Sequence, residues 1–254
     1  MALLEFYMDK DLILQVKKKR EFSGLPENLV WKFLKKNNLD IKETRANLRK
    51  FYGVFLTNKV LKGKTKEVLN SHISSKGRDY PNFYKEIFEG ISNNFSVIDL
   101  GCGVNGFSLQ ELQESLGVLN YCGVEASKQI VDITNNFFTR SSFNAKVIWG
   151  DLFNIGEISR LIKNIKSPKV ILMLQVIDAL ESLEKDYSKK LLLEIEKSLG
   201  GKDFVVISMP LKSISGRKNF EVGRQWLKKF LDETFNIEKD FVVGNERIFV
   251  VRKN

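Results

Sequence analysis

The sequence predicts an α/β fold: a parallel, doubly wound sheet that ends in an antiparallel hairpin, preceded by a basic helical domain. Three observations predict it. After about residue 80, five short runs rich in apolar and β-branched residues alternate with longer segments of helix-forming composition. Near the C-terminus two further apolar runs are separated only by a short polar turn at Gly244-Asn245. The first third of the chain has helical spacing throughout and carries nearly all of the net charge.

Residues 1–70 read as a helical domain. Asp9 to Arg20 forms a helix ending in Lys17, Lys18, Lys19 and Arg20, cations that suit the negative end of a helix dipole. A second helix has Pro26 at an early position and Leu29, Val30, Phe33 and Leu34 at helical spacing. A third runs through IKETRANLRKFYGVFL, with Ile41, Leu48, Phe51 and Phe55 recurring at three- and four-residue steps. Residues 71–80 form a linker, and 81–254 the α/β domain. Its strands are FSVIDL (95–100), LNYCGV (119–124), AKVIWG (145–150), KVILML (169–174) and DFVVIS (203–208). In DFVVGNERIFVV the turn is too short for a crossover, so its two strands are antiparallel. Five parallel strands followed by such a hairpin is the Rossmann-like architecture of the class I methyltransferases.

Composition bounds the partners. The 254 residues carry 41 basic and 31 acidic side chains, a net charge of +10. Residues 1–80 hold 18 Lys/Arg against 9 Asp/Glu, a net of +9, and residues 81–254 a net of +1. A segregated basic segment suits a polyanion, because neutralising phosphates releases condensed counterions. No apolar run approaches the about eighteen residues of a membrane span. The acids Glu5, Asp9 and Asp11 do not fit a secretory leader. Two cysteines give no disulfide framework, so a cytoplasmic location is expected, and with one histidine they argue against a metal site.

The motif that carries chemistry is VIDLGCGVNGF (97–107). An apolar strand ends in Asp99, and Gly101 and Gly103 follow, where positive φ and close approach of a ligand favour glycine. With Gly106 the loop also fits the dinucleotide pattern G-x-G-x-x-G. Two features favour S-adenosylmethionine instead. Asp99 stands where dinucleotide-binding strands carry an apolar residue, and D-x-G-x-G after an apolar strand resembles methyltransferase motif I. The acids recur where that resemblance implies them: Glu125 ends the second strand, to accept ribose hydroxyls, and Asp151 ends the third, to reach the adenine amino group, with Leu152 against the ring. Cys102, between the glycines, reads as a small turn residue and not as a nucleophile.

Five blocks sharpen this. They are LRKFYGVFL (48–56), SHISSKGR (71–78) followed by NFYKEIF (82–88), the loop DLGCGVNGFSL itself, VVISMPLKSISGRK (205–218) and GNERIFVVRK (244–253). In these the chain resembles the FmrO-like 16S ribosomal RNA guanine-N7 methyltransferases, a family found in aminoglycoside producers and resistant pathogens. The resemblance implies a SAM-dependent rRNA methyltransferase of the class I fold acting on the 30S subunit, with N7 of a guanine in helix 44 near the decoding site as target. It leaves antibiotic resistance and a housekeeping role both open. It implies that the linker contributes to the cofactor site, with His72 contacting the cofactor. The family arginine that binds the methionine carboxylate falls on Lys76. Arg78 matches the second arginine and takes over that role. Leu174 and Gln175 stand for the family's Leu-Lys after the fourth strand, Asp178 for a proline, and Gly106 for the loop proline.

Guanine N7 has a free lone pair in neutral RNA, so no general base is required. Asp178 is a candidate to stabilise the cationic product. No amine-gripping Asn/Asp-Pro-Pro-aromatic motif follows the fourth strand. Lys17, Lys18, Lys19, Arg20, Lys35, Lys36, Arg45, Arg49 and Lys50, with Lys212, Arg217 and Lys218 after the fifth strand, are the expected RNA contacts. Two alternatives share these features: an RNA methyltransferase with another target nucleotide, and a non-catalytic methyltransferase-like RNA-binding or ribosome assembly factor.

Overall fold

The structure, a computed structural model, describes residues 8–52, 56–63, 65–72, 76–91, 94–212 and 225–254. Seven helices come first: α1 (Lys10–Lys17), α2 (Arg20–Ser23), α3 (Glu27–Lys36), α4 (Ile41–Phe51), α5 (Asn58–Lys62), α6 (Thr65–Ser71) and α7 (Tyr80–Phe88). The helix expected from Asp9 to Arg20 is broken. Lys19 is extended and acts as the N-cap of α2, so the basic run forms a corner between two helices. Pro26 is the N-cap of α3 and not part of it. Asp9 and Asp40 cap α1 and α4 by accepting the amides of Leu12 and Glu43, satisfying donors that a helix start leaves unpaired.

The α/β portion follows as β1 (Phe95–Leu100), α8 (Leu109–Leu116), β2 (Val118–Glu125), α9 (Lys128–Ser141), β3 (Ala145–Trp149), α10 (Ile155–Asn164), β4 (Lys169–Leu174), α11 (Ile177–Leu183), α12 (Tyr187–Lys197), β5 (Phe204–Pro210), α13 (Gln225–Thr234), β6 (Phe235–Val243) and β7 (Glu246–Lys253). The seven strands lie in the order β3-β2-β1-β4-β5-β7-β6. β1 to β5 pair in parallel, and β7 runs antiparallel to both β5 and β6. All five expected parallel strands and the hairpin form. The chain winds outward from β1 to β3, then crosses back to place β4 against β1. This reversal of winding opens a crevice at the carboxyl ends of β1 and β4, where ligands of such sheets bind.

Every residue of β1 is buried, which fits its near-continuous apolar run at the centre of the sheet. The edge strand β3 buries only Val147. The two faces of the sheet carry separate cores. One gathers residues of α7, α8 and α9 with Val97, Leu172 and Val206, and the other residues of α10 to α13 with Ile98, Ile171 and Val205. Residues of α1, α3 and α4 build a third core, closed by Leu183 of α11. Val60 of α5 and Val68 and Leu69 of α6 join the sheet's own core, so these two helices pack as part of the α/β portion. Lys36 Nζ donates to the carbonyls of Ser182 and Leu183, tying α3 to the end of α11. Among the described residues no helix is long and apolar enough to cross a membrane, and no cluster of His, Cys, Asp and Glu has the form of a metal site.

Candidate cofactor and target site

A cavity of about 850 Å³ opens over the carboxyl ends of β1 to β4, within the range of about 300–1,000 Å³ usual for small-molecule sites. Of the residues expected at the cofactor, His72, Gly101, Gly103, Glu125, Asp151, Leu152, Leu174 and Gln175 line it, and Asp178 lines it as well. They come from the end of α6, the loop after β1, the ends of β2 and β4, the turn after β3 and the first turn of α11.

The glycine loop is held from both sides. Gly101 and Gly103 have φ of +72° and +49°, a region that side chains disfavour. A Cβ on Gly101 would also stand 2.7 Å from Val176 Cγ2. His72 covers Gly103, with its Cε1 3.4 Å from where a Cβ would lie. Burial and the nearby Arg78 guanidinium push the His72 pKa down to about 4, so the imidazole is neutral at physiological pH. Glu125 braces the loop through hydrogen bonds: its Oε2 accepts the Gly103 amide at 3.0 Å, and its Oε1 accepts the Ser127 amide at 2.7 Å. Asp151 Oδ1 accepts the Phe153 amide at 2.9 Å. Burial raises the pKa of both carboxyls, and hydrogen bonds from backbone amides oppose the rise.

Three expected residues stand elsewhere. Asp99 is fully buried beneath the loop and does not line the cavity. Its Oδ2 accepts Asn105 Nδ2 at 2.7 Å and the Tyr121 hydroxyl at 2.8 Å, and burial pushes its pKa up to about 6. It supports the loop's shape from below. Arg78, expected at the methionine carboxylate, is also outside the lining. Its guanidinium pairs with Glu246 Oε1, Nη2 at 2.7 Å and Nε at 2.8 Å, and stacks 4.5 Å from the centre of the Phe83 ring. Glu246 balances its charge and engages its Nε and Nη2 groups. Lys76 is exposed and does not line the cavity. Cys102 is buried, which raises its thiol pKa well above the ordinary value and leaves it a poor nucleophile.

Sequence reasoning missed part of the lining. Phe51 and Tyr52 reach the cavity from the end of α4, and Tyr52 also packs edge-on against Phe33 at 6.1 Å. Burial raises the Tyr52 pKa, and the charges of Asp151 and Glu125, which line the same cavity, raise it further. Both residues belong to the block LRKFYGVFL (48–56). Trp226 of α13 also lines the cavity, with Lys189 Nζ 5.3 Å from the centre of its ring. Nothing in its sequence context marked it.

The expected RNA contacts divide by what they already hold. Lys17 donates to the Leu25 carbonyl at 2.8 Å, Arg45 to the carbonyls of Gln15 and Val16, and Lys36 to the end of α11. Arg49 pairs with Glu21 at 2.8 Å, and Arg20 donates to Asn58 Oδ1 at 3.2 Å. Lys18, Lys19 and Lys35 are exposed, and beside the Arg49 hydrogen bond the charge of Lys19 helps to lower the Glu21 pKa. Lys50 and Lys212 both line the cavity, one from α4 and one from the segment after β5. Arg217 and Lys218 lie outside the described residues. Carboxylates at the strand ends beneath a rim with two lysines suit a ligand rich in hydroxyl and amine donors next to a phosphate-bearing one.

Comparison with known proteins agrees with this geometry. A curated protein of Proteus mirabilis named 16S rRNA (guanine(1405)-N(7))-methyltransferase is 27% identical over 199 residues, 74% of this chain. The match spans only 64% of that relative's length. A protein of the same name from Serratia marcescens is 23% identical over 226 residues, 84% of this chain and 83% of that protein. The solved structure of the 16S rRNA methylase RmtB superposes with a TM-score of 0.74 at 19% identity, covering 96% of this chain and 98% of its own. The 16S rRNA methyltransferase RmtF in complex with S-adenosyl-L-homocysteine gives 0.74 at 18% identity, covering 98% and 100%. These structural likenesses speak to the fold. The family described as Ribosomal RNA methyltransferase (FmrO) matches residues 41–231, most of the sheet, the linker and the end of the helical region. The chain belongs to the FmrO family of ribosomal RNA methyltransferases.

Proposed function

We propose that this protein methylates N7 of a guanine in 16S ribosomal RNA, in helix 44 near the decoding site, using S-adenosylmethionine. The observation that carries the reading is one cavity lined at once by the two positive-φ glycines after β1 and by Glu125 and Asp151 at the ends of β2 and β3. S-adenosylmethionine supplies an electrophilic methyl group on a positively charged sulfur. In this reading Glu125 takes the ribose hydroxyls on the lone pairs its two amide bonds leave over. Asp151 accepts the adenine amino group, and Leu152 covers the ring. The glycine loop lets backbone come close to the methionine portion, with neutral His72 above it. Neither Asp99 nor Arg78 touches the ligand: one shapes the loop from below and the other holds Glu246.

The chain's remaining task is to orient the target and keep water out. A base inside a helix has to leave the stack to reach this cavity. Trp226 offers a flat apolar face at the cavity wall, and Lys50 and Lys212 offer charge to the phosphates on either side of an extruded nucleotide. Guanine N7 carries its lone pair at neutral pH, so the residues need not remove a proton before transfer. Asp178 lies in the lining where a carboxylate stabilises the cationic product. Lys18, Lys19 and Lys35 serve docking and contribute little to sequence choice.

Incubation with methyl-labelled S-adenosylmethionine and, in parallel, 30S subunits, 50S subunits and naked 16S RNA tests the reading. Label on 30S above both other substrates is the expected outcome. Label confined to 50S, or none on any substrate, overturns it.

A further inference from the structure

We infer that Glu246 is a positioning residue for the cavity: through Ser208 it holds the left-handed turn at Gln175 against the glycine loop. The inference deepens the proposed function, and only its activity measurement rests on that reading.

Gln175 follows β4 and lines the cavity, yet its φ is +57°, in a region that non-glycine residues occupy only when their surroundings hold them there. Its neighbour Val176 presses on Gly101, so the turn after β4 and the glycine loop fix one another. The Gln175 amide is anchored twice by one residue of β5. It lies 3.0 Å from the Ser208 carbonyl and 3.1 Å from Ser208 Oγ. Ser208 Oγ in turn donates to Glu246 Oε2 at 2.6 Å, across the β5–β7 pairing. The other oxygen, Glu246 Oε1, is held by Arg78 Nε and Nη2. Ser208 is fully buried and Glu246 is 5% exposed, so water does not substitute in this chain.

The carboxylate sets the direction of these bonds. A hydroxyl has one proton and two lone pairs, and a carboxylate only accepts. Glu246 therefore draws the Ser208 proton toward itself and leaves a lone pair facing the Gln175 amide. Arg78 Nε and Nη2 hold the other oxygen of Glu246, which fixes the carboxylate in this orientation. A glutamine at the same place carries an amide N–H that can donate to Ser208 Oγ, releasing the hydroxyl proton to point at Gln175, where it repels the amide. An arginine in the linker thereby sets the geometry of a turn that lines the cavity.

The test uses the full chain and three variants: Ser208→Ala, Glu246→Gln and Gln175→Gly. Ser208→Ala leaves the Arg78–Glu246 pair intact, so the inference stays testable even where Glu246→Gln disturbs folding. Amide hydrogen exchange is the first readout. Exchange at Gln175 is expected to rise by about tenfold in Ser208→Ala and in Glu246→Gln, with β1 and α7 unchanged. Unchanged exchange at Gln175 in both folded variants overturns the inference, whatever the substrate proves to be. The second readout is single-turnover methyl transfer to 30S subunits at saturating cofactor. Ser208→Ala is expected to slow it by about tenfold, the effect of one lost hydrogen bond. Glycine adopts positive φ unaided, so adding Ser208→Ala to Gln175→Gly is expected to change the rate by less than about twofold. Full additivity of the two losses points to a merely structural role and overturns the inference. A wild-type chain that labels no RNA contradicts the proposed function, while the exchange result still decides this one.

Discussion

Replacing Glu125 by glutamine tests the cofactor site at its best-defined point. The carboxylate accepts the Gly103 and Ser127 amides at 3.0 and 2.7 Å, one on each oxygen. Glutamine keeps the shape but turns one of those oxygens into a donor, which then faces an amide N–H. The remaining oxygen has to serve both the loop and the ribose. Losing a hydrogen bond to a charged group costs about 1.5–3 kcal/mol, or about 10- to 150-fold in affinity at 1.4 kcal/mol per decade. Titration calorimetry with S-adenosylhomocysteine measures this directly on a variant whose thermal midpoint shows that it is folded. The pH dependence adds a second check. Burial holds the Glu125 carboxyl above its ordinary value, so acid protonates it earlier than an exposed glutamate. Wild-type affinity should fall toward that of the variant as the pH drops. An affinity within about twofold of wild type in folded Glu125→Gln contradicts the assignment, because no ribose contact would then depend on the charge.

Three other outcomes follow from the geometry. Asp99 has a folded pKa of about 6 against an ordinary 3.8, so the folded state holds its proton more tightly. The resulting stability is fully present below the ordinary value and is lost as the pH rises through about 6. In urea unfolding, Asp99→Asn should therefore gain on wild type between about pH 4 and 6 and keep a constant difference above that; a difference independent of pH contradicts it. Exposed Lys18 and Lys19 are expected on phosphates, each adding about 0.7–0.9 to the log–log salt slope of RNA binding. Lys18→Glu with Lys19→Glu should flatten the slope measured by filter binding, and an unchanged slope removes them from the interface. His72 is neutral and the Cys102 thiol is raised, so neither titrates as a base between about pH 6 and 8. The single-turnover rate should show no steep acid-side loss between about pH 6 and 8, and Cys102→Ala should keep substantial activity. A rate that falls tenfold per pH unit across that range identifies an essential base.

Much of this was legible in the sequence because it depends on local rules. The five parallel strands and the hairpin around Gly244-Asn245 follow from apolar runs and turn chemistry, and they form at nearly the expected bounds. Glu125 and Asp151 were legible because strand ends converge on one edge of a parallel sheet, which turns distance along the sequence into proximity in space. The roles of Arg78 and Asp99 depended on partners far along the chain. Glu246 lies 168 positions from Arg78, and Tyr121 lies on the strand beside Asp99. Spacing alone does not say which way a side chain turns. The same limit applies to the lysines: Lys17 and Lys18 are adjacent, yet one is held by the Leu25 carbonyl and the other is exposed. Tyr52 and Trp226 reach the cavity only because α4 and α13 close on it from opposite ends of the chain.

The identity of the methylated atom tests the central claim most directly. Borohydride reduction followed by aniline cleaves RNA at 7-methylguanine and leaves other methylated bases intact. 30S subunits methylated by this protein are expected to yield 16S RNA cleaved at a single guanine in helix 44, while untreated subunits yield none. Labelled 16S RNA that resists cleavage and digests to a base methylated on N1, on an exocyclic amine or on a ring carbon contradicts it.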